Sequence, residues 1–89
     1  MGAVADRIEE KLQKAFAPSA LTVTDDSHLH AGHAGARPGG ESHFTADITA
    51  SQFDGLTRLA RHRLVNDVLA EELAGPVHAL VIRARGLNE

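Results

Sequence analysis

Apolar residues return at helical spacing along the first stretch of the chain, at Val4, Ile8, Leu12, Ala15 and Phe16, while Glu9, Glu10, Lys11, Gln13 and Lys14 fill the opposite face. This pattern predicts a helix over residues 4–16. Asp6 followed three residues later by Glu9 reads as a capping pair at its start. Pro18 disfavours helical geometry at Ala17 and ends it. The period then changes to two. Leu21-Thr22-Val23-Thr24 is a short β-prone run stopped by Asp25-Asp26-Ser27, and Phe44, Ala46 and Ile48 alternate with Thr45, Asp47 and Thr49 as in a half-buried strand. Two strands joined by one loop form, most simply, an antiparallel hairpin. Ser51 is expected to cap a turn through Asp54, with Gly55 interrupting it. From Leu56 onward Leu59, Ala60, Leu64, Val68, Leu69 and Leu73 trace one long amphipathic helix, closed by Gly75-Pro76. Val77-His78-Ala79-Leu80-Val81-Ile82 is apolar on both faces apart from His78, which predicts a strand buried on both sides or central in a sheet.

The element order is therefore α-β-β-α-α-β, an α+β domain with helices on one face of a three-stranded mixed sheet. Residues 1–89 make a single domain, and residues 28–41 read as a flexible loop. A helix of about 18 residues is roughly 27 Å long, enough to carry the chain back along the sheet. The third strand would then start at the loop end, parallel to the second, in a right-handed crossover. On this topology His78 and the loop histidines share one edge of the molecule.

Composition narrows the function classes. The chain has 89 residues, no Cys, no Trp, no Tyr and three Phe, with a net charge of −3. Without cysteine there is no disulfide framework, and hydrophobic packing must hold the fold. Scarce aromatics remove the usual stacking platform for single-stranded nucleic acid, and the negative balance argues against a broad phosphate-binding surface. No apolar run approaches ~18 residues, and the N-terminus has neither the regions of a signal peptide nor a myristoylation motif. These features set the expectation of a soluble cytoplasmic protein with no membrane partner.

The chemistry concentrates in His28-Leu29-His30-Ala31-Gly32-His33-Ala34-Gly35-Ala36-Arg37-Pro38-Gly39-Gly40, followed by His43. Imidazole is a common ligand for borderline metals and changes charge near physiological pH. Against an autonomous metal cage, the His28-x-His30-x-x-His33 spacing matches no defined ligand pattern, and a glycine-rich loop is equally suited to plain solvation. His78 reads either as a satisfied structural histidine or as a ligand facing the loop. Arg58, Arg61, His62 and Arg63 read either as a solvated face, together with Asp67, Glu71 and Glu72, or as a basic patch for a phosphate or an acidic partner. No nucleophile–base–orienter set is recognisable. Ser42 and His43 are sequence neighbours whose side chains a strand sends to opposite faces, so the chain reads as a non-enzyme. Gly32-His33-Ala34-Gly35 matches a KH-type clamp as a string, but it falls between two strands rather than between helices.

Taken together, Asp26-Ser27 with His30, Gly40-Glu41-Ser42-His43-Phe44, Phe53-x-Gly55, Arg61-His62-Arg63-Leu64-Val65, Leu69-Ala70-Glu71-Glu72-Leu73 and Val77-His78-Ala79-Leu80 resemble the BolA family over residues 4–85. The resemblance implies a class II KH-like fold and a non-enzymatic partner of monothiol glutaredoxins. In such complexes a [2Fe–2S] cluster is shared with the glutaredoxin cysteine and glutathione. By motif position His78 and His30 would be this chain's ligands. The loop is longer than the family's common pattern and adds His33 as the alternative to His30. No cofactor is then expected in the isolated protein, since a chain without cysteine ligates such a cluster only as half of a complex. The resemblance also implies transcriptional regulation, a link to stress responses and, as the alternative function, DNA or partner contact through Arg58, Arg61 and Arg63.

Overall fold

The computed structural model describes residues 2–26 and 42–88, so His30, His33 and the loop expected over 28–41 lie outside the described residues. Helix α1 spans Ala3–Phe16 and buries Val4, Ala5, Ile8, Leu12 and Phe16, one face at i, i+4 spacing. Ala15, placed on that stripe by the sequence pattern, is exposed. The Asp6–Glu9 pair does not cap the helix. Gly2 is the N-cap without a side-chain bond, and the Asp6 N–H already donates to the Gly2 carbonyl at 3.0 Å. Ala17 takes a left-handed conformation, φ 42°, that reverses the chain before Pro18.

Strand β1 (Ala20–Asp25) pairs antiparallel with β2 (His43–Thr49), and β2 pairs parallel with β3 (Ala79–Arg85). The expected hairpin and parallel crossover are both present. The expectation of a buried or central third strand fails: the order is β1-β2-β3, so β2 is central and β3 is an edge. Val81 is 51% exposed and Ile82 7%. Only the alternate residues Leu80, Ile82 and Ala84 pack on the core, because the helices cover one face of the sheet. The other face carries Thr22, Asp47 and Arg83 in one row and Thr24, Thr45 and Val81 in the next.

Between β2 and β3 the chain makes a single 3₁₀ turn (Ser51–Phe53), closed by the Asp54 N–H on the Ser51 carbonyl at 3.1 Å. Helices α2 (Arg58–Val68) and α3 (Ala70–Ala74) follow. Thr57 caps α2, its hydroxyl accepting from the Ala60 N–H at 3.1 Å. The single long helix expected from Leu56 to Leu73 is broken at Leu69, φ −102° and ψ 20°. Its expected stripe holds at Leu69, which is buried, and at Val68 and Leu73, which pack against the core, but fails at Leu59 and Leu64, 60% and 37% exposed, where Val65 and Glu72 are buried instead. A carboxylate buried to this degree needs a partner. The Lys11 ammonium donates to Glu72 Oε1 at 3.0 Å and lies 2.9 Å from Oε2, an ion pair in which Oε2 has no aligned donor. Arg7 Nε lies 3.9 Å away, and Lys11 also donates to exposed Glu71 at 2.8 Å. These contacts tie α1 to α3. Phe16 and Phe53 meet at 5.0 Å between ring centroids, locking the 3₁₀ turn into the same core.

Candidate functional site: the strand mouth and the β3 edge

At one end of the sheet β1 finishes, β2 starts and β3 starts. The register places Asp25 beside Phe44 and His43 beside Ala79. His78 is the residue immediately before β3, so the end shared by His78 and the two loop attachments is the one expected from the crossover. Ser42 organises this mouth. Its carbonyl accepts from the His78 N–H at 2.7 Å and the Ala79 N–H at 3.2 Å, which fixes the backbone that presents His78. Its hydroxyl bonds His43 Nδ1 at 2.9 Å. Ser42 and His43 therefore do not point to opposite faces. Ser42 lies in a bend one residue before the strand, and the alternation of a pleated strand does not apply to it.

His43 is 7% exposed, and its ring lies 5.2 Å from the His78 ring, centroid to centroid, at 54°. His78 is exposed. The pair consists of one imidazole anchored in the fold and one presented to the outside. The sequence pattern sets His43 beside the loop and gives no link between it and His78. The signal that could have found the pair was the parallel register of β2 and β3, which aligns their first residues. Among the described residues no group of three or more His, Cys, Asp or Glu gathers to hold a metal. On the hairpin side, Thr45 Oγ1 donates to the Asp26 carboxylate and the Asp26 N–H donates to the His43 carbonyl at 2.7 Å, closing off the end of β1.

The basic residues lie elsewhere, between the start of α2 and the outer edge of β3. A pocket of about 410 Å³ there is lined by Leu56, Arg58, Arg61, His62, Ile82, Arg83 and Ala84. Arg61 is built into the fold: Nε donates to the Leu56 carbonyl at 3.0 Å and a terminal nitrogen to the Ala84 carbonyl at 3.1 Å, clamping α2 to the sheet edge. Arg63 is exposed and does not line the pocket. The three arginines grouped by sequence thus divide into a pocket wall (Arg58), a clamp (Arg61) and a solvated position (Arg63). Arg83 joins them from β3, which helix periodicity alone could not reveal.

Comparison with known proteins places the chain. A family model for BolA-like protein matches residues 12–89. Human BolA-like protein 1 is 48% identical over 85 residues, covering 96% of this chain and 59% of that protein. The Vibrio cholerae DNA-binding transcriptional regulator BolA is 44% identical over 86 residues, covering 97% and 77%. The solved BolA domain of SufE1 from Arabidopsis thaliana superposes with a TM-score of 0.89 at 41% identity, covering 99% of this chain and 96% of that domain. The chain spans about three fifths of the length of the mammalian relatives it matches. No helix among the described residues is long and apolar enough to cross a membrane. With the α-β-β-α-α-β order, the mixed sheet and these matches in agreement, the chain belongs to the BolA-like protein family.

Proposed function

We propose that the protein is a non-enzymatic cytoplasmic adaptor that shares a [2Fe–2S] cluster with a monothiol glutaredoxin and glutathione, in iron–sulfur cluster assembly, trafficking or iron-linked regulation. The observation that carries this reading is His78. It is an exposed imidazole on a backbone pinned by Ser42 and backed by the buried His43 ring, at the end of the sheet where residues 27–41 leave and return. The donor set suits the group. Two imidazoles can replace two thiolates on one iron, and a chain with no cysteine must take its sulfur ligands from a partner. His78 would hold the iron together with His30, or His33 in its place. Holding a ligand on a packed strand start while leaving the rest of the coordination to a second protein is the arrangement expected of half a site. A relative whose BolA domain belongs to a protein named SufE1 points in the same direction.

The test is co-expression with a monothiol glutaredoxin, purification with glutathione, and visible absorption and circular dichroism of the complex. His78→Ala should abolish or shift the cluster bands. His30→Ala combined with His33→Ala should do so as well, with each single variant reporting which loop residue ligates. Cluster spectra unchanged in all of these variants would refute the assignment.

A second reading, a DNA-binding regulator, is favoured by the name of the Vibrio relative and by the basic side chains along α2. It predicts salt-dependent binding weakened by Arg58→Gln and Arg63→Gln, positions whose replacement spares the Arg61 clamp. Absence of binding to promoter fragments at low salt would sink it.

A further inference from the structure

We propose that the pocket between α2 and the outer edge of β3 is a binding site for a free mononucleotide. This does not rest on the cluster reading, since neither His43 nor His78 lines the pocket. Its volume of about 410 Å³ lies within the range of small-molecule sites, roughly 300–1,000 Å³, which combine an apolar lining with a few placed polar groups. Its lining combines the basic Arg58, Arg61, His62 and Arg83 with the aliphatic Leu56, Ile82 and Ala84, and includes no carboxylate. Guanidinium groups are the preferred partners of phosphate.

The strand edge supplies a second kind of recognition. In a parallel pair, alternate residues turn their N–H and C=O to the same neighbour. The Ala79 N–H and the Arg85 carbonyl bond toward β2, and the Ala84 carbonyl bonds outward to Arg61. Ile82 has the parity of Ala84 and lines the pocket, so its N–H and C=O point away from β2, toward an edge with which no strand among the described residues pairs. A donor and an acceptor side by side match the edge of a planar base, while the cationic wall takes the phosphate. An added peptide strand would need the outward carbonyl of Ala84, which Arg61 already holds at 3.1 Å. A nucleic-acid strand would lack the Phe, Tyr or Trp platform on which successive bases stack, because none of these lines the pocket.

The experiment is amide NMR of the full chain titrated separately with AMP, inorganic phosphate and a short single-stranded oligonucleotide. The expected result is a saturable AMP-dependent shift of the Leu56, Ile82 and Ala84 amides. Phosphate alone should bind more weakly and leave Ile82 unmoved. Arg58→Gln with Arg83→Gln should weaken AMP about tenfold or more while the Phe44 and Val65 resonances stay in place. The proposal is overturned if AMP gives no saturable shift up to millimolar concentration. It is also overturned if phosphate binds as well as AMP, which would make this an ion site only, or if the oligonucleotide binds the same amides more tightly, which would make the ligand a strand.

Discussion

Gly55 and Gly86 are both required, for different physical reasons, and substitution can separate the two. A Cβ on Gly86 would overlap Asp54 Oδ1 and come within 2.9 Å of Asp54 Cα and Cγ. Ordinary contact begins near 3.4 Å, so about half an ångström must be opened against backbone rather than against a flexible side-chain tip. Overpacking of this kind costs about 1–3 kcal/mol. The same movement strains the bonds by which the Asp54 carboxylate accepts from the Asn88 N–H at 3.1 Å and Nδ2 at 3.0 Å, about 1 kcal/mol each when fully made. Gly86→Ala should therefore cost about 2–3 kcal/mol, lowering Tm by roughly 8–24 °C for a domain of this size. Gly55 has open space around its Cβ position, nothing within 4 Å, but φ is +76°. Alanine there should cost about 1 kcal/mol, and asparagine, which tolerates the left-handed region, less. The order expected in thermal unfolding followed by circular dichroism is Gly55→Asn above Gly55→Ala, and Gly86→Ala above Gly86→Asn. A Gly86→Ala protein melting with the wild type, or asparagine rescuing position 86 rather than 55, would refute the reasoning.

Two further predictions concern the charged contacts. Arg61→Gln should lower stability by about 1–3 kcal/mol, because it breaks hydrogen bonds to the Leu56 and Ala84 carbonyls, whereas Arg63→Gln should stay within about 0.5 kcal/mol; equal effects in urea denaturation would contradict the division of roles. The hydrogen bond from Lys11 lowers the Glu71 pKa from its ordinary 4.5, and the same contact, followed by the one to Glu72, raises the Lys11 pKa from 10.5. The depressed Glu71 pKa gives a contribution present above pH 4.5 and lost as pH falls through the folded value. The raised Lys11 pKa gives one present below pH 10.5 and lost as pH rises through the folded value. Glu71→Gln, which leaves the Lys11–Glu72 pair in place, should therefore flatten the acid limb of the Tm–pH profile, and an unchanged acid limb would show that Glu71 gains nothing from Lys11.

The sequence by itself determined the helix over the first sixteen residues, the antiparallel hairpin, a helical connection after it and the parallel return. Each follows from local periodicity plus the handedness of crossovers, and the BolA-like motifs agreed with them. Which strand is central was not legible. Val77–Ile82 is apolar at nearly every position, and an edge strand with one face on the core and exposed valine on the other gives the same letters as a central one. The break at Leu69 was hidden for a related reason: a helical stripe cannot show that Glu72, rather than Leu64, turns inward, because the Lys11 ammonium that makes its burial tolerable comes from α1, some sixty positions away. At the site, His78 was visible as an anomaly in an apolar run. Its neighbour His43, the Ser42 that holds both, and Arg83 at the α2 pocket became neighbours only through strand register. Register is decided by packing across the whole sheet, and no local pattern carries it.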